Sequence, residues 1–233
     1  MNEFKKDLIR LKKITKGRIH SFKLLGGEPL LHPQISDFFY LIRKLYPNCW
    51  IILVTNGILL NSMKDEFWQS MHDNSVVLRH SLYPVDIDID KYFEKAKKYA
   101  IKMIYSTPEE LKKTLVESFV KFHIDLDGKV NPLQSYRACT GKVWSSALED
   151  GRLYQCSFTA YVKYFNKKFG TSLIPSKDDY IDIYKAKNLR ELLDFYEKPI
   201  PFCRYCGGIY GCEKWESSEK HDITEWTNNI KSV

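Results

Sequence analysis

Several features are missing from this chain of 233 residues. No apolar run approaches the ~18 residues that a membrane span requires, and the N-terminus does not have the pattern of a secretory signal. No block of basic residues interleaved with aromatics marks a nucleic-acid groove, and the net charge of +7 comes from lysines scattered over helical stretches. These absences predict a cytoplasmic protein whose partners are neither membranes nor nucleic acids.

Cysteine is scarce in the first half of the chain, because five of the six cysteines fall after residue 138. In a reducing compartment, clustered cysteines indicate a metal site rather than a disulfide framework. Cys49 stands alone before an apolar run, and we expect it to be a buried core thiol. This uneven distribution predicts two domains, of which the second is rich in cysteine.

Apolar runs alternate with helical patterns along residues 1–125. The predicted strands cover residues 19–25, 50–54, 76–82, 101–105 and 119–124. The predicted helices cover residues 4–14, 35–46, 62–71, 89–99 and 108–116. Strict alternation predicts a parallel sheet whose strands lie side by side in chain order. Periodicity alone leaves two α/β architectures open, an open barrel and a doubly wound sheet.

Polar, turn-forming segments follow the predicted strands, at the carboxyl edge where parallel sheets bind ligands. The first of these segments contains Gly26 and Gly27. Paired glycines predict a turn with positive φ, which lets a ligand approach the main chain closely. Glu28 places a carboxylate beside this turn, which suits recognition of an ammonium group. The alternative is a tight turn with a solvated glutamate.

The sequence L-L-G-G-E-P-L at residues 24–30, followed by His32-Pro33, resembles the second-strand motif of the radical S-adenosylmethionine enzymes. The resemblance implies that this motif meets the amino end of the cofactor's methionine. It extends to the ends of the next two strands. The residues that it assigns to S-adenosylmethionine are Gly26, Gly27, Glu28, Pro29, Asn56 and Ser81.

The chain departs from this family near its N-terminus. The family has a six-stranded barrel, and a C-x3-C-x2-C loop after its first strand holds the catalytic [4Fe-4S] cluster. Only 25 residues precede Gly26, and none of them is cysteine. The resemblance therefore implies a partial (β/α)6 radical SAM barrel over residues 1–125, which lacks its first strand and is inactive alone. A gene fragment, an internal start codon and a degenerate homologue all remain open, and a missing N-terminal segment or a partner chain would complete the barrel.

Residues 126–233 differ from residues 1–125 in containing five cysteines, which are candidate metal ligands. These are Cys139, Cys156, Cys203, Cys206 and Cys212. Asp150-Gly151 lies between two apolar segments and predicts a two-residue hairpin, whose pairing sets Cys156 opposite Ser145. The C-x2-C turn presents two thiolates to one side, so four thiolates can converge. Zinc and an iron-sulfur cluster both suit such a set, and reduced thiols without metal are a third interpretation.

The spacing C-x11-G-x4-C, followed by C-x2-C-x5-C, resembles the auxiliary-cluster domains called SPASM and twitch. The resemblance implies a small cysteine-rich α+β domain over residues 126–233. It also implies one [4Fe-4S] cluster, held by Cys139, Cys156, Cys203 and Cys206. Glu216 stands where the full SPASM pattern has a further cysteine. Cys212 is therefore either a spare thiol or an alternative ligand.

Together, the two resemblances predict a truncated oxidoreductase or modifying enzyme. Its intact form would make a 5′-deoxyadenosyl radical, and its substrate would be a peptide or a small metabolite. The auxiliary cluster would accept an electron from a substrate radical or ligate the substrate. The alternative is a non-catalytic protein that binds zinc or an iron-sulfur cluster, with an exposed barrel edge available to a partner.

We interpret five histidines without ligand spacing as structural or solvated: His20, His72, His80, His123 and His221.

Overall fold

The computed structural model describes residues 1–143, 145–216 and 221–227. Contacts divide the chain into two compact units, Met1–Glu117 and Ser118–Val233, so the division falls a few residues before the predicted boundary near residue 125. Both units combine helices with strands. Within the described residues, no sheet closes into a barrel. No helix in those residues is both long and apolar enough to cross a membrane.

A three-stranded parallel sheet forms the centre of the first unit. Its strands, in their order across the sheet, are β1 (Ser21–Leu24), β2 (Trp50–Thr55) and β3 (Val76–His80). The helices of this unit are α1 (Asn2–Thr15), α2 (Ile35–Leu45), α3 (Asp65–Asp73), α4 (Ile89–Lys98) and α5 (Pro108–Lys112). The predicted alternation and the parallel order of these three strands are confirmed.

The core of the first unit lies around the central strand β2. Its side chains Ile51 and Leu53 are fully buried, and so are Phe39 of α2 and Trp68 of α3. The amphipathic faces of these helices thus cover the sheet. Cys49 belongs to the same core and is 5% exposed, which confirms the predicted core thiol. Burial raises the pKa of this thiol, although the charge of Arg43 acts in the opposite direction.

Two antiparallel sheets are present in the described part of the second unit. One pairs β4 (Ser118–Ile124) with β8 (Cys206–Lys214). The other contains β5 (Ala147–Glu149), β6 (Arg152–Tyr154) and β7 (Tyr180–Asp182). The helices are α6 (Pro132–Ala138), α7 (Ser157–Phe169) and α8 (Leu189–Tyr196). A core of buried apolar side chains contains Ile124, Val162, Leu173, Ile200 and Phe202.

Two strand predictions need correction. The segment at residues 101–105 forms only a single parallel bridge, between Met103 and Leu78. The chain leaves the sheet after this bridge because α5 begins nearby, with Thr107 as its cap. The last predicted strand exists as β4, but it pairs antiparallel with β8 of the second unit instead of joining the parallel sheet. Periodicity identifies a strand without identifying its partner, and here the partner is distant in sequence.

The hairpin predicted at Asp150-Gly151 is confirmed. These residues have φ values of 50° and 71°, as a two-residue I′ turn requires. The first strand of the hairpin, β5, is shorter than predicted, and Trp144 of the predicted strand lies outside the described residues. Extending the observed register beyond β5 and β6 sets Ser145 opposite Cys156, as predicted.

Candidate functional site

The predicted cofactor residues lie at one edge of the parallel sheet in the first unit. Glu28 follows β1, Asn56 follows β2 and Ser81 follows β3. The backbone N–H of Ser81 donates to the carbonyl of Thr55 at 2.9 Å, which continues the pairing of β2 and β3. Because the strands are parallel, their carboxyl ends meet at this edge. The shared location agrees with the sequence, and the role of these residues toward a cofactor stays a prediction.

The carboxylate of Glu28 is engaged by the protein itself. Its Oε1 accepts hydrogen bonds from Thr55 Oγ1 at 2.7 Å and from the backbone N–H of Leu30 at 3.1 Å. Its Oε2 accepts from the backbone N–H of Asn56 at 2.9 Å. A carboxylate offers about four acceptor positions, so about one remains for the ammonium group of a ligand. Glu28 therefore joins the turn after β1 to the end of β2, a role that the sequence motif does not reveal.

Gly26 and Gly27 do not adopt the positive φ predicted for them. The Glu28 side chain caps the short 3-10 turn Pro29–Leu31, and this cap shapes the turn without a left-handed residue. A Cβ placed on either glycine would meet no atom within 4 Å. The main chain at this turn is therefore exposed and accessible to a ligand.

His80, the last residue of β3, lies beneath this edge and is only 2% exposed. Its Nε2 is 2.9 Å from the carbonyl oxygen of Asn56, and its Nδ1 is 2.5 Å from the hydroxyl of Tyr92. A carbonyl can only accept, so Nε2–H donates to Asn56 and Nδ1 accepts from Tyr92. Burial lowers the pKa of His80, against smaller opposing effects of the Asn56 bond and the Glu28 charge. The imidazole is thus a structural support, in agreement with its sequence interpretation.

We expect His80 to make the first unit less stable as the pH falls below 6.5, the ordinary pKa of histidine. The pKa is lower in the folded state, so in this range the unfolded chain binds more protons, and the free energy of unfolding becomes smaller as the pH falls. One proton gives a slope of at most ~1.4 kcal/mol per pH unit. Urea unfolding near pH ~7.5 and pH ~5.5 tests this in wild type and His80→Gln. The variant should show the smaller pH dependence, and equal dependence would contradict the assignment.

Four of the five predicted metal ligands lie close enough in the second unit for their charges to interact. Burial raises the pKa of Cys203 to about 11, and the charges of Cys156, Cys206 and Cys139 add to this increase. The pKa of Cys156 is raised mainly by burial, with a further contribution from Cys206. Cys212 is exposed on β8. These four cysteines therefore lie in one region of the second unit, whereas Cys212 lies at the surface, and their role as metal ligands stays a prediction.

Cys156 occupies the N-cap position of α7. Its side chain makes no cap hydrogen bond in this arrangement, but the nearby backbone N–H groups of Thr159 and Phe158 act to lower the pKa of its thiol and so oppose the effect of burial. The N-terminus of a helix stabilises negative charge in the same way. These N–H groups partly offset the cost of forming the thiolate, the form that binds metals, but burial keeps the pKa of Cys156 above its ordinary value.

The four thiols do not converge as metal ligands in this arrangement. Among the described residues, no three His, Cys, Asp or Glu side chains are close enough together to hold one metal ion. Convergence would require movement of the cysteine side chains when the metal binds, as expected where metal binding and folding are coupled. The chemistry of the donor set nevertheless fits, because four thiols in one unit suit either zinc or a [4Fe-4S] cluster.

Comparison with known proteins gives no family for this chain. No protein-family model matches it. The chain is similar to WASH complex subunit 5 of Xenopus tropicalis, with 28% identity over 111 residues. The matched region covers 48% of this chain and 9% of that protein. A similarity of this extent does not establish common family membership.

Proposed function

We propose that this chain is a cytoplasmic iron-sulfur protein of the radical SAM type, in which Cys139, Cys156, Cys203 and Cys206 hold one auxiliary [4Fe-4S] cluster. The observation that carries the proposal is that Cys156 and Cys203 pack against the same apolar core, with Cys139 and Cys206 near enough to Cys203 for their charges to affect its pKa. Neighbouring half-buried thiols are costly to ionise without a cation. A metal centre offsets this cost by taking the thiolates as ligands.

The residues around the cysteines would set the properties of this centre. The N–H groups of Phe158 and Thr159 would donate to the sulfur of Cys156, and hydrogen bonds to sulfur are one determinant of reduction potential. The apolar side chains of Ile200 and Phe202 would limit the access of water. When bound, a [4Fe-4S] cluster supplies single-electron transfer. The chain could then accept an electron from a substrate radical.

We assign the edge of the parallel sheet to S-adenosylmethionine. The exposed main chain of Gly26 and Gly27 and the remaining acceptor position of Glu28 would contact the amino group of its methionine. Asn56 and Ser81 would supply further polar contacts. The chain contains no C-x3-C-x2-C motif, so we propose that it positions the cofactor without cleaving it. The substrate, a peptide or a small metabolite, would bind at the same edge.

A non-catalytic protein that binds a metal or a partner is the second candidate. The observation that favours it is the engagement of the Glu28 carboxylate by Leu30, Thr55 and Asn56, which leaves little of this group for a cofactor. Zinc would suit the same four thiols. The similarity to a protein named as a subunit of a complex is compatible with a role in assembly.

Metal analysis after anaerobic purification distinguishes these candidates. The iron-sulfur protein should be brown, with a broad absorption near ~400 nm and about four irons per chain. A colourless protein with one tightly held zinc would contradict the cluster. After reduction with dithionite and addition of S-adenosylmethionine, the chain should yield no 5′-deoxyadenosine, whereas a version extended upstream through a C-x3-C-x2-C loop should yield it. Product from the chain itself would show that the catalytic centre has been misidentified.

A further inference from the structure

We infer that Asp179 is a positioning residue of the cysteine site, because it holds the turn that carries Cys203 against the sheet that leads to Cys156. The inference rests on the metal site proposed above. Asp179 lies just before β7 and is only 1% exposed. Burial of a carboxylate is costly unless hydrogen bonds compensate for the lost water. The partners of Asp179 therefore indicate its role.

The carboxylate of Asp179 accepts three hydrogen bonds from two segments of the chain. Its Oδ1 accepts from the backbone N–H of Phe202 at 2.6 Å. Its Oδ2 accepts from the backbone N–H of Ser176 at 2.6 Å and from the hydroxyl of Ser176 at 2.8 Å. Hydrogen bonds to an ionised acceptor are about twice as strong as neutral ones. The bond to Phe202 satisfies an N–H at the start of the 3-10 turn Pro201–Tyr205, which contains Cys203.

Asp179 is also placed beside the strand end that carries Cys156. The pairing of β6 with β7 sets Tyr154 opposite Tyr180, and one further step in this register sets Gln155 opposite Asp179. Gln155 in turn donates to the carbonyl of Lys198 at 3.0 Å, just before the same 3-10 turn. Gln155 thus ties the segment that carries Cys156 to the residues before the turn, and Asp179 ties the turn to the start of β7, which pairs with β6.

This tie determines how far apart two of the proposed ligands lie. Metal sites require ligand distances within about 0.2 Å of their ideal values, so a small shift of the turn weakens binding. Asp179 acts through the backbone of Phe202, and its role is therefore to position a ligand and not to serve as one. Loss of a residue that orients metal ligands typically costs about 10 to 100-fold in metal affinity.

Titration of the full chain with Co²⁺ tests this role. The charge-transfer absorption of bound Co²⁺ reports thiolate ligation, and chelator competition gives the affinity. Asp179→Asn should bind at least about tenfold more weakly and show less charge-transfer absorption per bound ion. Ser176→Ala removes one of the three bonds to the carboxylate and should show the same changes to a smaller degree. This second variant keeps the test decisive if Asp179→Asn does not fold.

Asn166→Ala is the matched control. Asn166 lies in the same unit and braces another loop, where its side chain accepts from the hydroxyl of Thr171 and the N–H of Leu173. This variant should lose stability in urea but keep the Co²⁺ affinity and spectrum of wild type. An equal loss of binding in Asn166→Ala would overturn the role of Asp179 but leave the proposed metal site in place. Unchanged binding in both Asp179→Asn and Ser176→Ala would do the same. A wild-type chain that binds no Co²⁺ would overturn the metal site and the inference together.

Discussion

Serine in place of Cys203 is expected to remove nearly all the iron from protein reconstituted anaerobically, from about four irons per chain to nearly none. Serine remains protonated near neutral pH and does not replace a thiolate as an iron ligand. The pKa of Cys203 is affected by Cys139, Cys156 and Cys206, so the change removes the proposed ligand that lies near the other three. The variant should also unfold at lower urea than loaded wild type, because metal binding adds to folding free energy. Iron and sulfide analysis and urea unfolding measure the two effects.

Two further cysteines provide controls for this experiment. Cys49 lies in the core of the first unit, and Cys212 is exposed on β8. Cys49→Ser and Cys212→Ser should both retain the iron content of wild type. Loss of iron from Cys212→Ser would identify Cys212 as an alternative ligand. Iron retained by Cys203→Ser would show that the four-cysteine assignment is wrong.

Alanine at Gly57 is expected to lower the free energy of unfolding of the first unit by about 2 to 4 kcal/mol. Gly57 has φ 79°, and a Cβ there would lie 2.4 Å from both Cε1 and Nε2 of His80. The imidazole cannot move away easily, because it is buried between Asn56 and Tyr92. The left-handed backbone contributes about 1 kcal/mol of the cost, and the forced displacement of buried groups contributes the remainder. Urea unfolding of the purified variant measures the change.

Gly170 offers a matched control for the backbone contribution. It also has a left-handed φ, of 66°, at the end of α7, but a Cβ there would meet nothing within 4 Å. Gly170→Ala should therefore cost only about 1 kcal/mol. Equal losses of unfolding free energy in the two variants would show that the contact with His80 does not contribute to the destabilisation. Neither glycine is a proposed ligand, so both variants should bind iron as wild type does.

The sequence predicts those parts of the fold that depend on local pattern. The order of β1, β2 and β3 follows from alternating strands and helices, because each crossover connects neighbouring strands. The Asp150-Gly151 hairpin is equally local, since two residues define its turn. The partner of β4 is not predictable in this way. Its apolar run fits either sheet, and the choice depends on a strand that comes much later in the chain.

The candidate site shows the same division between local and distant information. Strand ends locate Glu28 and Asn56 at one edge, but only the folded structure shows that the carboxylate of Glu28 accepts hydrogen bonds from Thr55 and its neighbours. The C-x2-C spacing identifies Cys203 and Cys206 as a pair. Asp179 has no sequence signal of this kind, because its contact with Phe202 joins segments that only the folded second unit brings together.

The pairing of β4 with β8 has a consequence for the order of events during synthesis. Ser118 pairs with Lys214 and Ile124 with Cys206, so this sheet closes a loop through most of the second unit. Such long-range pairing is slow, whereas the first unit pairs successive strands and completes earlier on the ribosome. Until β8 emerges, β4 presents unpaired edges and the set of four cysteines is incomplete. Any metal held by these four cysteines would therefore bind only after β8 has emerged.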